Sequence, residues 1–205
     1  MTTATLLAIL RDRICDTGGS RWTDTELYGW LNDGYLELAH RLPDDALWPL
    51  CKYEATPLVS HVVVYDLPTD CLRERGVQYK TTWSRRWEVV ELGNVNSLNP
   101  ADERRPEYYV WGGQVRFINS VTTVVPGYVT VYYVKVPAQV SASVNPDFGE
   151  AFVNPVCDFA VARAMETAEP EVAPYFMQQF ANQCAIIASR YPANIYDKEP
   201  TNAKN

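Results

Sequence analysis

The sequence predicts an α+β protein: a four-helix bundle, made of two N-terminal and two C-terminal helices, with an antiparallel β-sheet or sandwich domain inserted between the pairs. Three observations predict it. Apolar residues recur every third or fourth position near both ends of the chain, and the period shortens to two across the middle. Glycine or proline stands where the pattern changes. The expected boundaries are 1–50 and 147–191 for the helical part, 51–146 for the β insertion and 192–205 for a C-terminal arm.

The first helix is expected over Thr5–Cys15, where Leu6, Leu10 and Ile14 recur every fourth position with Leu7 beside them. Asp16-Thr17-Gly18-Gly19 stops it. A second helix is announced by Thr23-Asp24-Thr25-Glu26: the Thr23 hydroxyl can accept from an early helix N–H, and Glu26 can reach back to the cap. Its stripe is Leu27, Leu31, Gly34 and Leu38, flanked by Trp30 and Tyr35, and Pro43 ends it.

The middle is rich in Val, Tyr and Trp, which suit a pleated, half-buried surface. Strands are expected over His61–Leu67, Trp87–Leu92, Glu107–Trp111, Gln114–Ile118 and Tyr128–Val136. Gly112-Gly113 between two of them reads as a tight hairpin, because primed turns need positive φ at their centre. Ala138–Pro146 reads as a linker. Helical spacing returns with Phe152, Val156, Phe159, Ala160 and Arg163. Pro155 inside that run implies either a kink or a helix that starts there, capped by Asn154. The last helix, from about Pro170 to Arg190, carries Val172, Phe176, Phe180, Cys184 and Ile187 on one face.

The 205 residues are 47% hydrophobic, enough for a packed core, and the balance of 18 basic against 25 acidic residues gives a net charge of −7. That balance argues against tight DNA binding, whereas an acidic wall past which DNA slides fits it. Cys15, Cys51, Cys71, Cys157 and Cys184 show no C-x-x-C spacing and are expected as reduced core residues. No signal peptide or membrane span is visible, so the chain is expected to be made and kept in a cytosol.

Reactive chemistry has few candidates. Neutral-pH proton transfer would fall to His40 and His61, which stand apart in the sequence and read as a helix-end and a strand-edge residue. The glycine pairs lack a following Lys-Ser or Lys-Thr, so they read as turns rather than phosphate cradles. Asp44-Asp45 and Asp102-Glu103 lack the alternating spacing of a calcium loop and read as solvated turns. No catalytic, cofactor or metal site is expected, and the chain reads as a non-enzyme. Trp83, Trp87, Tyr108, Tyr109, Trp111, Tyr132 and Tyr133 could form a sugar or base platform. The basic residues around them, chiefly Lys80, Arg85, Arg86, Arg104, Arg105 and Arg116, are few, which favours interior packing and subunit contact.

Leu10-Arg11-Asp12-Arg13, the run Asp16 through Leu27 and Trp30-Leu31-Asn32-Asp33-Gly34 resemble the opening of the head-to-tail adaptor proteins of tailed phages. In that family a short helix, a D-x-x-G-x-x-W/F-x-D-x-E-L turn and an L-N-x-G/A helix recur. The likeness extends in layout over residues 5–190. It implies a structural virion subunit of a ring, twelve-fold, between portal and tail, with double-stranded DNA passing through. The implied partners are the portal protein, the tail nozzle or tube, and fibres or spikes, with no membrane. The turn residues Asp16, Gly18, Gly19, Trp22, Asp24 and Glu26 carry over as fold-determining. By analogy, Tyr191, Ile195, Tyr196, Asp197 and Lys198 are candidate portal contacts in an arm that orders on its partner. Other neck proteins, a stopper or a terminator, and a carbohydrate-binding aromatic β-module are the alternatives.

Overall fold

Helix α1 spans Thr3–Arg13 and starts earlier than its apolar stripe suggests, because the Thr2 side chain caps it by accepting from the Thr5 N–H. The computed structural model describes residues 1–59, 62–81, 88–92, 107–117 and 127–191. They form a mixed helix-and-sheet protein of two units. One is Met1–Leu50 with the described residues from Val136 on; the other is Cys51–Lys135.

In the helical unit, Leu6, Leu10 and Ile14 are buried along α1, as their spacing predicts. Cys15 departs from expectation. It sits at φ 54° just past the helix end and is exposed, because the chain reverses through a left-handed position there rather than turning the side chain inward. Helix α2, Asp24–Arg41, buries Leu27, Leu31, Gly34, Tyr35 and Leu38. Beyond Pro43 the chain forms a 3₁₀ segment, Asp44–Leu50, which buries Ala46, Leu47 and Leu50 where only a solvated turn was expected.

Helix α3, Val153–Ala168, packs against α1, α2 and α4. It buries Val156, Val161, Ala162 and Met165, which point to different sides of the helix, as a helix surrounded by others requires. At Gly34 a methyl group would lie 3.2 Å from Phe159 Cδ1 and 3.3 Å from the Val156 carbonyl, so the bare glycine lets α2 approach α3 closely. Neither reading of Pro155 holds as stated: α3 starts at Val153, so Pro155 occupies the first turn, where backbone N–H groups lack intrahelical partners. Asn154 does not cap it; its Oδ1 accepts from Arg13 Nη2 at 2.6 Å. Helix α4, Ala173–Ser189, buries Phe180, Cys184 and Ile187 as predicted, while Val172 and Phe176 are only half-buried.

Asp158 on α3 is buried, with Arg13 Nη1 donating at 2.7 Å and Gln183 Nε2 donating to its other oxygen. Burial raises its pKa, and the opposing pull of Arg13 and Gln183 does not cancel that effect. A raised carboxyl favours the fold below the ordinary carboxylate range and loses that contribution as pH climbs through the folded pKa. Asp158→Asn removes the titration. Its stability relative to the parent should therefore improve between pH 4 and pH 7, read by urea unfolding at the two values; a constant difference would reject this account.

Residues Val136–Pro146 do not belong to the β insertion. Asn32 Nδ2 donates to the Val140 carbonyl at 3.2 Å, and the Val140 N–H donates to Asn32 Oδ1 at 2.6 Å. Thr3 Oγ1 donates to the Val144 carbonyl at 2.7 Å, and the Thr3 N–H to Asn145 Oδ1 at 3.0 Å. The expected boundary at 146 thus moves to Lys135, because these bonds fasten the segment to α1 and α2.

The β unit has the strand order β1-β7-β3-β4-β5-β6-β2. The strands are β1 Cys51–Pro57, β2 Val64–Asp66, β3 Cys71–Thr81, β4 Glu88–Leu92, β5 Glu107–Trp111, β6 Gln114–Phe117 and β7 Gly127–Lys135. Two antiparallel ladders, β1-β7-β3-β4 and β5-β6-β2, meet where β4 and β5 pair in parallel through Glu91↔Glu107 and Leu92↔Tyr108, a departure from the all-antiparallel expectation. Strands β1 and β3 were not anticipated. Leu58, Tyr65, Val77, Tyr108, Val115, Phe117, Val129 and Val131 form one core cluster drawn from both ladders. Strands lie about 4.8 Å apart, so a flat sheet would hold β7 and β2 too far apart to share it, and the sheet therefore rolls over on itself. Gly112 (φ 60°) and Gly113 (φ 77°) give the β5–β6 hairpin its expected primed turn.

Candidate assembly interface

The Asp16–Glu26 turn is organised around one carboxylate. Asp16 is buried, and its Oδ1 accepts from the Ser20 N–H at 2.8 Å and the Arg21 N–H at 3.1 Å. Its Oδ2 accepts from the Trp22 N–H at 3.1 Å and from Arg11 Nη1 at 3.0 Å. Arg11 goes on to donate to the Trp22 carbonyl at 3.1 Å and to Asp24 Oδ1. Burial alone would raise the Asp16 pKa; the backbone donors of Arg21, Trp22 and Ser20, with the Arg11 charge, outweigh it and hold the group below its ordinary value.

Gly19 turns the loop at φ 64°, with the Arg11 guanidinium lying where a methyl group would point. Gly18 faces open space. The Trp22 ring meets Trp30 edge to face at 5.2 Å. Thr23 and Glu26 close the capping box: the Thr23 N–H donates to Glu26 Oε2 at 2.8 Å, and the Glu26 N–H to Thr23 Oγ1 at 3.3 Å. Of the six turn residues predicted from sequence, Asp16, Trp22 and Asp24 thus converge on Arg11, whose part as the hub the sequence reading missed.

On the β unit, Tyr53, Ala55 and Pro57 of β1 lie opposite Tyr132, Thr130 and Tyr128 of β7, with Gly76, Gln78 and Lys80 of β3 on the other side. Tyr53, Tyr128 and Tyr132 are exposed, and the Tyr53 and Tyr132 rings lie 6.1 Å apart. A register shift before Gly76 leaves a groove of about 300 Å³ lined by Arg75, Gly76, Val77, Gln78 and Tyr132. On the opposite face of these strands, Asp70 accepts from Tyr133 Oη at 2.9 Å and pairs with Lys52 Nζ at 3.1 Å. Of the aromatic set read from sequence, Tyr108 and Tyr133 are buried and Trp111 is exposed, while Trp83 and Trp87 lie outside the described residues.

A family model described as SU10 adaptor protein matches residues 1–197. The chain belongs to the SU10 adaptor protein family. It is therefore a structural head-to-tail adaptor of a phage, and the family implies a place in the virion neck in contact with portal and tail components. No curated protein matches the chain.

In this adaptor Tyr191 lies one residue beyond the Arg190 cap of α4 and is exposed, its N–H donating to the Ala188 carbonyl at 3.0 Å. The other portal-contact candidates, Ile195, Tyr196, Asp197 and Lys198, lie outside the described residues, as do His61, Arg85, Arg86, Arg104, Arg105 and the pair Asp102-Glu103. His40 is exposed near the end of α2. Among the described residues no group of His, Cys, Asp and Glu is placed to hold a metal ion, and no helix is long and apolar enough to cross a membrane.

Proposed function

We propose that this adaptor closes into a ring of twelve copies between the portal and the tail nozzle, through which double-stranded DNA passes without sequence-specific contact. The family match over residues 1–197 carries this reading. The net charge of −7 supports it, since a wall that attracted phosphates would slow the passing duplex. In this reading the four helices act as one bundle whose geometry the Asp16 turn sets. The helical unit and the arm bearing Tyr191, Ile195, Tyr196, Asp197 and Lys198 grip the portal. The tyrosine face of the β unit meets the nozzle and the fibres or spikes, as a surface rich in tyrosine suits a protein contact.

Mixing the chain with portal protein and weighing the product by native mass spectrometry tests the proposal. One ring of chains per portal ring is expected, and a chain that stays monomeric with and without portal overturns it. Removing residues 192–205 should leave the melting temperature unchanged while weakening portal affinity at least about tenfold, a change near 1.4 kcal/mol. Undiminished affinity would reject the anchoring role. An image of the neck separates adaptor from stopper or terminator by whether the chain touches the portal directly. The groove beside Tyr132 favours a second reading, carbohydrate binding by the β face; glycan binding that Tyr132→Ala abolishes would establish it.

A further inference from the structure

The sheet of the β unit ends on β1 at one side and on β2 at the other. In an edge strand alternate residues aim their backbone N–H and C=O away from the sheet, and hydrogen bonds fix which residues these are. The Leu58 N–H donates to the Gly127 carbonyl at 2.9 Å. With the register of β1 on β7, that bond turns the backbone of Lys52, Glu54 and Thr56 towards β7 and that of Tyr53, Ala55 and Pro57 outward. On the other edge the Phe117 N–H donates to the Val63 carbonyl at 2.9 Å and the Leu67 N–H to the Gly113 carbonyl at 2.8 Å. Tyr65 therefore faces β6, while Val64 and Asp66 face outward. Among the described residues no backbone hydrogen bond is made on the outward side of Tyr53, Ala55, Val64 or Asp66.

The two edges match. Each offers two residues with a free donor and a free acceptor, and on each a proline stands two positions further on, Pro57 beyond Ala55 and Pro68 beyond Asp66. A proline has no N–H to give, so it stops a ladder. Set antiparallel with Ala55 against Val64 and Tyr53 against Asp66, the strands make two complete pairs with one proline at each end. Pro57 then meets Val62, whose N–H already donates to the Val59 carbonyl at 3.1 Å. A shift of two residues one way sets Tyr53 against Pro68; a shift the other way sets Ala55 against Val62. Tyr53, Ala55, Val64 and Asp66 also share a face, since they alternate with residues on the side of the core cluster that holds Tyr65 and Val131. Joined strands would thus continue outer face into outer face, and the carboxylates of Glu54 and Asp66 would fall on opposite sides.

We propose that β1 of one copy pairs antiparallel with β2 of the next, so that the sheets of the β units run on from copy to copy around the ring. The inference rests on the ring reading above and names its contact. Two different strands of the same chain make a heterologous contact, the kind that closes by rotation. Pairing of either edge with its own counterpart has two-fold symmetry and cannot propagate round a ring. For β1 it also sets Glu54 directly against Glu54 when the prolines are kept at the ends, which like charges disfavour. Free sheet edges invite unwanted pairing, and in the ring neither edge remains free.

Ala55→Pro and Val64→Pro each remove one outward N–H and leave the bonds to β7 and β6 in place, so both variants should melt at the parent's temperature. In the presence of portal protein, each alone should reduce the ring signal in native mass spectrometry at least about tenfold, because a ladder bond is lost at every contact of the ring. A second measurement does not depend on proline being tolerated. Opposed residues of such a pair have Cα atoms about 5.5 Å apart, within reach of a disulfide. Ala55→Cys and Val64→Cys, mixed with portal and oxidised with copper phenanthroline, should give a covalent dimer that neither variant alone nor the parent gives. The double variant should give a series of products up to the closed ring. Parent-like rings from the proline variants overturn the assignment while leaving the ring reading in place. So does a cysteine mixture that stays uncrosslinked, or a dimer from Ala55→Cys alone, which would show β1 pairing with itself. Proline variants that form rings but lose a tail protein would give the edge to that partner and equally overturn it. A parent chain that forms no ring with or without portal defeats the ring reading itself, and this inference with it.

Discussion

Asp16→Ala is expected to lower the melting temperature of the helical unit by on the order of 10 °C. The carboxylate accepts from three successive backbone N–H groups, those of Ser20, Arg21 and Trp22, and from Arg11. Alanine leaves all of these donors without their acceptor in a place where the carboxylate was shielded from water, which is the costly way to lose a hydrogen bond. Asp16→Asn keeps one acceptor oxygen and points an NH₂ at the remaining donors, so it should recover only part of the loss. The pH dependence has a definite sign. The folded carboxyl lies below its ordinary value, so its contribution is complete above the unfolded range near 3.9 and disappears as pH falls through the folded pKa. Circular dichroism melts from pH 7 downward should show the parent losing stability in acid more steeply than Asp16→Ala. Equal slopes would mean that the carboxylate is not what organises the loop.

Phe180→Ala is expected to destabilise the helical unit by about 3–5 kcal/mol. The ring is fully buried on α4, meets Phe159 of α3 edge to face at 5.2 Å, and lies 5.1 Å beneath the Arg41 guanidinium of α2. Its removal leaves a void among three helices that cannot all move inward at once, and also ends a cation–π contact. Phe180→Leu refills most of the space and should recover much of the loss. Urea unfolding followed by helical ellipticity measures both variants; a cost for alanine below about 1.5 kcal/mol would show that the site collapses, contrary to the packing described.

Local chemistry made α2 and the β5–β6 hairpin readable in advance. Thr23 and Glu26 satisfy each other within one turn, and Gly112-Gly113 needs only its own backbone freedom, so neither depends on distant residues. Strand β1 escaped because it is an edge strand exposed along nearly its whole length, and Cys51–Pro57 therefore shows no apolar face for a period of two to reveal. Strand β3 escaped for another reason: register shifts at Cys71/Arg73 and Glu74/Gly76 break the alternation in the middle of Arg73-Glu74-Arg75. The second boundary was hidden because Asn32 and Thr3 reach Val140 and Asn145 across separations of 108 and 142 residues, and nothing local announces such partners. In the Asp16 turn the residues that shape the loop were legible as a motif. The arginine that ties them together was not, since it lies five positions upstream on a helix with its own apolar pattern.

The chain enters the β unit on β1 and leaves it on β7, and these strands are partners, with Cys51 opposite Val134. Entry and exit are thus about one strand spacing apart, roughly 5 Å. A gap of that width can be spanned by a couple of residues, so the module behaves as a cassette: an exchange of sheets between related phages need only preserve one pair of neighbouring ends. Residues on the faces of the sheet can then change without any change in the two ends at which the chain enters and leaves it.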